Sequence, residues 1–324
     1  MRKVIIDTDP GIDDAFAIVA TLLAPDVEVL GICSVGGNKG IETTTDNSLA
    51  LAEWLGLPAK VYKGADKPLK EDSEAAHTPD EVHGRNGLGG VHLPLDASRL
   101  SEQSAVDFIL EMAEKYPNEV EIFALGPLTN LALAIEKKES SMKKLKAIYS
   151  MGGGILKGNV TPVAEFNYWF DPEAVAKVLE ITNRVPFYMV GLNVTHQIVF
   201  DFNDIFFLEK EGGEKGKLLA QMLYPYMDLY WKEAKIVGGV IHDLTAVLFA
   251  LYPELTKPED ICHCNLRMAT EGITRGQSVA DLVDSWHLEK NAYVVMGMDG
   301  NASKEKFFEL LIPEKVELYR KYVL

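Results

Sequence analysis

Cysteine is scarce in this sequence: Cys33, Cys262 and Cys264 are the only three among 324 residues. So odd and sparse a set makes no disulfide framework, and a reducing compartment, the cytoplasm, is the expectation. Cys262-His263-Cys264 has the letters of a zinc site but no second pair to complete four ligands. No apolar run reaches the ~18 residues of a membrane helix. Met1-Arg2-Lys3 leads directly into a strand-like run, so no signal peptide is expected. An excess of positive charge is missing as well. There are 32 basic and 48 acidic residues, a formal charge of -16, which opposes nucleic acid or an anionic membrane as partner. Neither a GxxxxGKS/T phosphate cradle nor a GxGxxG fingerprint occurs, so no nucleoside triphosphate or dinucleotide cofactor is expected. Internal repeats and low-complexity linkers are absent too.

What is present is an ordinary globular balance, 47% hydrophobic and 25% charged, in a chain long enough for one large α/β domain or two small ones. Apolar strands alternate with amphipathic helices. Val4–Ile6, Val27–Ile32, Val61-Tyr62, Val120–Leu125, Lys146–Met151 and Pro186–Val190 read as strands. Ala15–Leu23, Thr43–Leu55, Ser101–Lys115 (Ser101 as N-cap), Leu128–Lys138, Pro172–Ile181 and His242–Tyr252 read as helices. Lys217–Lys235 is helical in pattern, but Pro225 predicts a kink or a second start. Residues 64 to 98 read as a long loop, and the stretch from about 285 to 311 as strands with a hairpin around Met298–Asn301. Alternating βα units imply an α/β fold, a mostly parallel open sheet with helices on both faces, spanning residues 1–324 as one domain. Ligands of such sheets bind beyond the carboxyl ends of the strands. Asp9, Asn38, Leu125, Gly152–Gly154 and Asn193 all stand at or just past those ends and are expected to converge there.

The densest chemistry is Asp7-Thr8-Asp9-Pro10-Gly11-Ile12-Asp13-Asp14. Four carboxylates at a strand-to-helix turn repel one another unless a cation sits among them, and a hard divalent ion prefers such oxygen ligands. Asp9 and Asp14 can approach one ion from two sides of the turn, with Asp7 as support. Ordinary helix-capping acids are the plainer alternative. After Gly238-Gly239 comes His242-Asp243, either a proton carrier beside a metal ligand or a capping Asp beside a bystander. Met151-Gly152-Gly153-Gly154 precedes Asn159 and Glu165-Phe166-Asn167. Glycines allow close backbone approach, and Glu165 with Asn167 pairs an acceptor with a donor, as sugar hydroxyls require. His83 heads a glycine-rich loop, His83–Gly90. Tyr226 and Tyr230 share one helix face.

Together these pieces resemble the nucleoside hydrolases, the inosine-uridine preferring nucleoside N-ribohydrolases. The DxDPGxDD signature is present as Asp7–Asp14, and Gly36-Gly37-Asn38, the His83 loop, Gly126–Asn130, Met151-Gly152-Gly153, Asn159, Glu165–Asn167 and His242-Asp243 follow in family order. The resemblance implies a Rossmann-like sheet, frequent homodimers or homotetramers, and calcium-dependent cleavage of a ribonucleoside to base and ribose. It implies Asp9, Asp14, Asp243 and the Leu125 carbonyl as Ca²⁺ ligands. Asp9 would also be the general base toward a metal-bound water, and His242 the leaving-group acid. Asp13, Asn38, Met151, Asn159, Glu165 and Asn167 would bind the sugar side. His83 and Tyr230 would meet the base, with Tyr226 competing for Tyr230's role.

Two other readings of the same residues differ in class. In a haloacid-dehalogenase-like phosphatase, Asp7 would be the nucleophile and Asp9 the acid, but Gly11 stands where that motif carries Thr or Val. A calcium-dependent nucleoside-binding protein would need no acid–base pair such as Asp9 and His242.

Overall fold

Alternate residues of the first strand, β1 (Arg2–Thr8), enter two separate cores: Val4 and Ile6 one, Ile5 the other. A strand that is apolar on both faces belongs in the middle of a sheet covered on both sides. The computed structural model of the protein, which describes residues 1–70 and 76–324, has it there. Beside β1 run β2 (Val27–Ser34) and β3 (Lys60–Lys63) on one flank. On the other flank run β4 (Val120–Ala124), β5 (Ala147–Met151) and β6 (Phe187–Val190). A pair the sequence did not suggest, β7 (Val199–Phe200) with β8 (Gly239–Val240), forms a separate two-stranded ribbon. The sheet is completed by β9 (Ile261–Met268), β10 (Ser278–Asp281) and β11 (Ala292–Val295), in the order β10-β9-β11-β6-β5-β4-β1-β2-β3. All neighbours from β11 to β3 are parallel; only β9 runs against β11 and β10.

The chain lays β2 and β3 to one side of β1 and then returns to lay β4 on the other. That reversal opens a crevice at the carboxyl ends of β1 and β4, the switch point where ligands of such sheets bind. Helices Ile12–Leu23, Gly213–Ala234, His242–Leu251 and Gly300–Leu311 cover one face of the sheet, and Ala105–Lys115, Thr129–Met142 and Pro172–Leu179 the other. The expected mostly parallel α/β fold is what forms.

Several local expectations fail for identifiable reasons. The Met298–Asn301 stretch is not a hairpin: the Asp299 carboxylate accepts from the Ala302 amide and starts the Gly300–Leu311 helix. Ser104, not Ser101, caps Ala105–Lys115, its hydroxyl accepting from the Asp107 amide. Gly213–Ala234 is a single helix with Pro225 inside it rather than two, because buried Leu219, Met222, Leu223 and Tyr226 anchor both halves. The long loop holds a helical turn, Asp80–His83, and a 3₁₀ turn, Ala97–Arg99; its residues 71–75 lie outside the described residues. The odd cysteine–histidine run lies on β9, with Cys264 in the core and His263 stacked on Tyr293.

Candidate active site

Asp9 leaves the end of β1 just before the helix Ile12–Leu23, whose first turn carries Asp13 and Asp14. Asp243 comes from the first turn of His242–Leu251, a helix packed directly on that one. One oxygen each of Asp13, Asp14 and Asp243 lies within 4.8 Å of the others. Asp9 stands beside this trio and is 1% exposed; Asp14 is fully buried. The polar atoms divide unevenly. Asp14 accepts from the Thr8 hydroxyl and from the Gly11 amide at 2.7 Å. Asp9 Oδ2 accepts from the Asn38 amide at 2.6 Å, while Asp9 Oδ1 and Asp13 Oδ1 are buried with no hydrogen-bond partner among the described residues. Gly37 and Gly126 press against the Asp9 carboxylate so closely that a Cβ on either would collide with it.

Burial first, and then mutual repulsion, push these carboxyls up. Asp9 and Asp13 rise well above the ordinary range through desolvation and the charge of Asp14, and Asp243 through desolvation and the charges of Asp13 and Asp14. Asp14 also closes its helix start, its carboxylate accepting from the amide of the N-cap Gly11, but capping leaves the unpartnered oxygens of Asp9 and Asp13 unexplained, and buried acids with such oxygens fit a hard divalent cation. The Leu125 carbonyl, expected among the ligands, is at the end of β4 and already accepts from Asn167 Nδ2 at 2.8 Å.

Above the carboxylates opens a cleft of about 660 Å³. Asp13, Asn38, His83, Leu125, Met151, Asn159, Glu165, Asn167, Tyr230, His242 and Asp243 all line it. Asp9 and Asp14 lie behind its wall. Glu165 is the N-cap of the short helix Phe166–Phe170; its carboxylate accepts from the amides of Gly153, Asn167 and Tyr168. Burial nevertheless raises it to about 7. Asn167 Nδ2 donates to the Leu125 and Met151 carbonyls, tying β4 and β5 to this segment. Asn159 is exposed at the rim and accepts from the Phe166 amide.

Across the cleft stand aromatic and imidazole groups. His242 Nδ1 pairs with Thr195 Oγ1 at 2.7 Å and its Nε2 with the Tyr230 hydroxyl at 2.6 Å. Desolvation, then the neighbouring His196 and His83, hold its pKa well below the usual value. His83 Nδ1 accepts from the Ile12 amide at 3.2 Å, and the ring stacks on Tyr226 at 5.5 Å. Burial lowers its pKa to about 3. Tyr226 and Tyr230 therefore do not compete: one backs His83, the other reaches His242. Asn193 stays out of the cleft, donating to the Val295 carbonyl at 2.8 Å. Asp7 stays out too. It is fully buried, held by Asn130 Nδ2 at 2.7 Å, and cannot serve as a phosphatase nucleophile.

Comparison with known proteins bears on the same residues. The family model described as inosine-uridine preferring nucleoside hydrolase matches residues 4–305. The chain belongs to the inosine-uridine preferring nucleoside hydrolase family. Uridine nucleosidase 1 of Arabidopsis thaliana is 40% identical over 283 residues, covering 86% of this chain and 82% of that protein. A plant nucleoside hydrolase structure, PpNRh1, superposes with a TM-score of 0.89 at 31% identity, covering 96% and 98% of the two chains. A purine-preferring ribonucleoside hydrolase from Gardnerella vaginalis gives 0.88 at 32%, with the same coverage. The chain is accordingly an enzyme, an N-ribosyl hydrolase acting on ribonucleosides, rather than a phosphatase or a binding protein without turnover.

Sequence reasoning missed several residues of this nucleoside hydrolase's cleft. His77, Lys157, Phe166, Trp169 and His196 also line it. Trp169 stands four residues after Glu165 on the same short helix, a spacing that could have placed it. His77 and His196 come from irregular segments, where no period signals direction. His77 Nδ1 is 2.8 Å from the Gly37 carbonyl, and His196 packs edge-on against His242 at 5.4 Å.

Proposed function

We propose that the protein hydrolyses the N-glycosidic bond of uridine and inosine to free base and ribose, as one domain that depends on calcium. The observation that carries this reading is Asp9: Oδ2 is fixed by the Asn38 amide with Gly37 against it, and Oδ1 is buried, without a hydrogen-bond partner among the described residues, with Gly126 against it. That is the arrangement of a base held ready, not of a structural acid. Asp9, Asp13, Asp14 and Asp243 would hold the Ca²⁺, with Leu125 contributing its carbonyl. When bound, the ion supplies charge for the ribose hydroxyls and lowers the pKa of the attacking water.

The chain's own residues do the rest. Glu165, Asn167 and Asn159, with Asn38 and Asp13, fix the sugar. A fixed sugar removes much of the entropic cost of attack at C1′. Asp9 Oδ1 takes the water's proton. Positive charge develops on the ribose as the bond stretches, and the buried carboxylates stand on the side where it appears. No covalent intermediate is needed, so the configuration at C1′ inverts. The departing base meets His242 and Tyr230. Burial keeps that imidazole neutral in the free enzyme, so the leaving group is served by a hydrogen-bonded His–Tyr pair rather than by a standing imidazolium. His83 and Tyr226 form the stacked wall for the base.

The deciding measurement is release of free ribose from inosine, uridine, cytidine and adenosine, with and without a chelator. Ribose from uridine and inosine that is lost on chelation is the expected result; activity untouched by chelation would overturn the calcium assignment. A cytoplasmic homodimer or homotetramer completes the proposal, checked by fractionation and sedimentation.

A further inference from the structure

The β9–β10 hairpin, added antiparallel at the far edge of the sheet, contributes no residue to the cleft in the account above. It nevertheless touches the sugar-holding segment 153–169 at its beginning, middle and end. At the beginning, Ser278 Oγ accepts from the Gly154 amide at 3.0 Å and donates to the Gly154 carbonyl at 3.1 Å. At the end, Arg275 Nη1 donates to the Trp169 carbonyl at 2.8 Å, and its Nη2 lies 3.4 Å from Glu173. In the middle, Gly276, at φ +85°, lies so near Ala164 and Trp169 that a Cβ would stand 2.8 Å from Trp169 Cα and 2.9 Å from Ala164 Cβ. Ser278 and Arg275 are both buried.

The geometry points to Ser278 and Arg275 as positioning residues that set how strictly the enzyme demands the ribose hydroxyls. They act through the segment that carries Asn159, Glu165 and Asn167. The inference rests on the ribose-holding role proposed for those three residues. The physical reason is leverage. Glu165 is oriented in part by the Gly153 amide, and the Gly153-Gly154 turn is held from outside by the Leu192 amide on the Gly153 carbonyl and by the Ser278 hydroxyl, the side chain that meets both backbone groups of Gly154. Freeing that turn lets the Glu165 carboxylate drift, and a small misplacement at a hydroxyl contact is costly in rate. The turn has no other side chain of its own to hold it, since its residues are glycines. The consequence is a discrimination between ribose and deoxyribose that depends on residues outside the cleft.

The test compares kcat/KM for uridine with that for its 2′-, 3′- and 5′-deoxy analogues in the wild type, Ser278→Ala, Ser278→Thr and Glu165→Gln, alongside thermal melting. Ser278→Ala is expected to raise KM for uridine and to shrink the ribo-to-deoxy ratio for at least one hydroxyl by about tenfold. Ser278→Thr, which keeps the hydroxyl, restores the ratio. A merely structural serine would lower melting temperature or kcat and leave that ratio where it was; this result overturns the inference. If Ser278→Ala does not fold, Arg275→Lys reads the same ratio with the same two outcomes. Glu165→Gln separates the two levels. If it shrinks the ratio while the Ser278 and Arg275 variants do not, the brace is wrong and the ribose reading stands. If Glu165→Gln also leaves it unchanged, the ribose reading itself fails and the brace falls with it.

Discussion

The two walls of the cleft carry polarity of opposite kinds. On one side, Asp9, Asp13, Asp14 and Asp243 crowd together, with two carboxylate oxygens unpartnered and their pKa values driven up. On the other, both ring nitrogens of His242 are paired, with Thr195 and Tyr230, and the imidazole is held neutral. The first wall is incomplete as protein and is strained by its own charge. The second is complete and fixed before anything binds. On the proposed reading the contrast assigns the parts: a cation would bring charge on one side, whereas orientation is built in on the other.

That contrast can be broken experimentally. Chelation is expected to have the largest effect, abolishing ribose release while leaving the fold intact by circular dichroism. Asp9→Asn comes next: kcat should fall by about 10²–10⁴-fold, the usual worth of a general base, with KM little changed. Because burial and the Asp14 charge disfavour a carboxylate at Asp9, and its Oδ1 lacks a partner among the described residues, the same variant should melt at a higher temperature than the wild type when both are chelated. Asp9→Asn that melts lower would mean the carboxylate wall is not strained. His242→Ala should cost about 10²-fold on uridine and inosine. It should leave an activated nitrophenyl riboside nearly untouched, and equal losses would remove His242 from leaving-group chemistry. In contrast to Asp9→Asn it should destabilise, by about 1–3 kcal/mol, because it strands Thr195 and Tyr230.

The smallest effect is on pH dependence. Asp7 and Glu165 titrate at about 7 in the folded protein, raised by burial, against ordinary values of 3.8 and 4.5. Between those limits the folded chain holds more protons than the unfolded one, so stability falls as pH rises toward and through about 7. Melting of the chelated enzyme should therefore drop over that window, and added calcium should flatten the slope through the neighbouring carboxylates. A chelated protein that gains stability over the same window would contradict the raised values.

Much of the carboxylate wall was legible in the sequence, because a strand, a Pro-Gly break and a helix start confine Asp9, Asp13 and Asp14 to one turn. Its refinement was not. Asp13 joins Asp14 and Asp243 in the tightest trio, where Asp9 had been expected, and only the packing of two helices against each other decides that. On the facing wall, His242 was legible and its partner Thr195 was not, because Thr195 lies in a single short turn, Leu192–Thr195, with no pattern to aim it. The hairpin error at Met298–Asn301 has a similar origin. Asp-Gly reads equally well as a turn or as a helix cap, and the cap prevails here because Phe307 and Phe308 bury the following helix against the sheet-facing core.

The placement of Asp243 has a consequence for the order of events during synthesis. Asp9, Asp13 and Asp14 follow directly on the strand that ends at the centre of the sheet and precede β2 to β11 in the chain. Their last companion emerges only after β2 to β8 have been made. A nascent chain thus carries three of its four clustered acids long before the fourth exists, and their full repulsion arises only when His242–Leu251 docks on Ile12–Leu23. Under the proposed calcium assignment, docking of that helix is the first step at which the ion can act on how quickly the protein reaches its finished form.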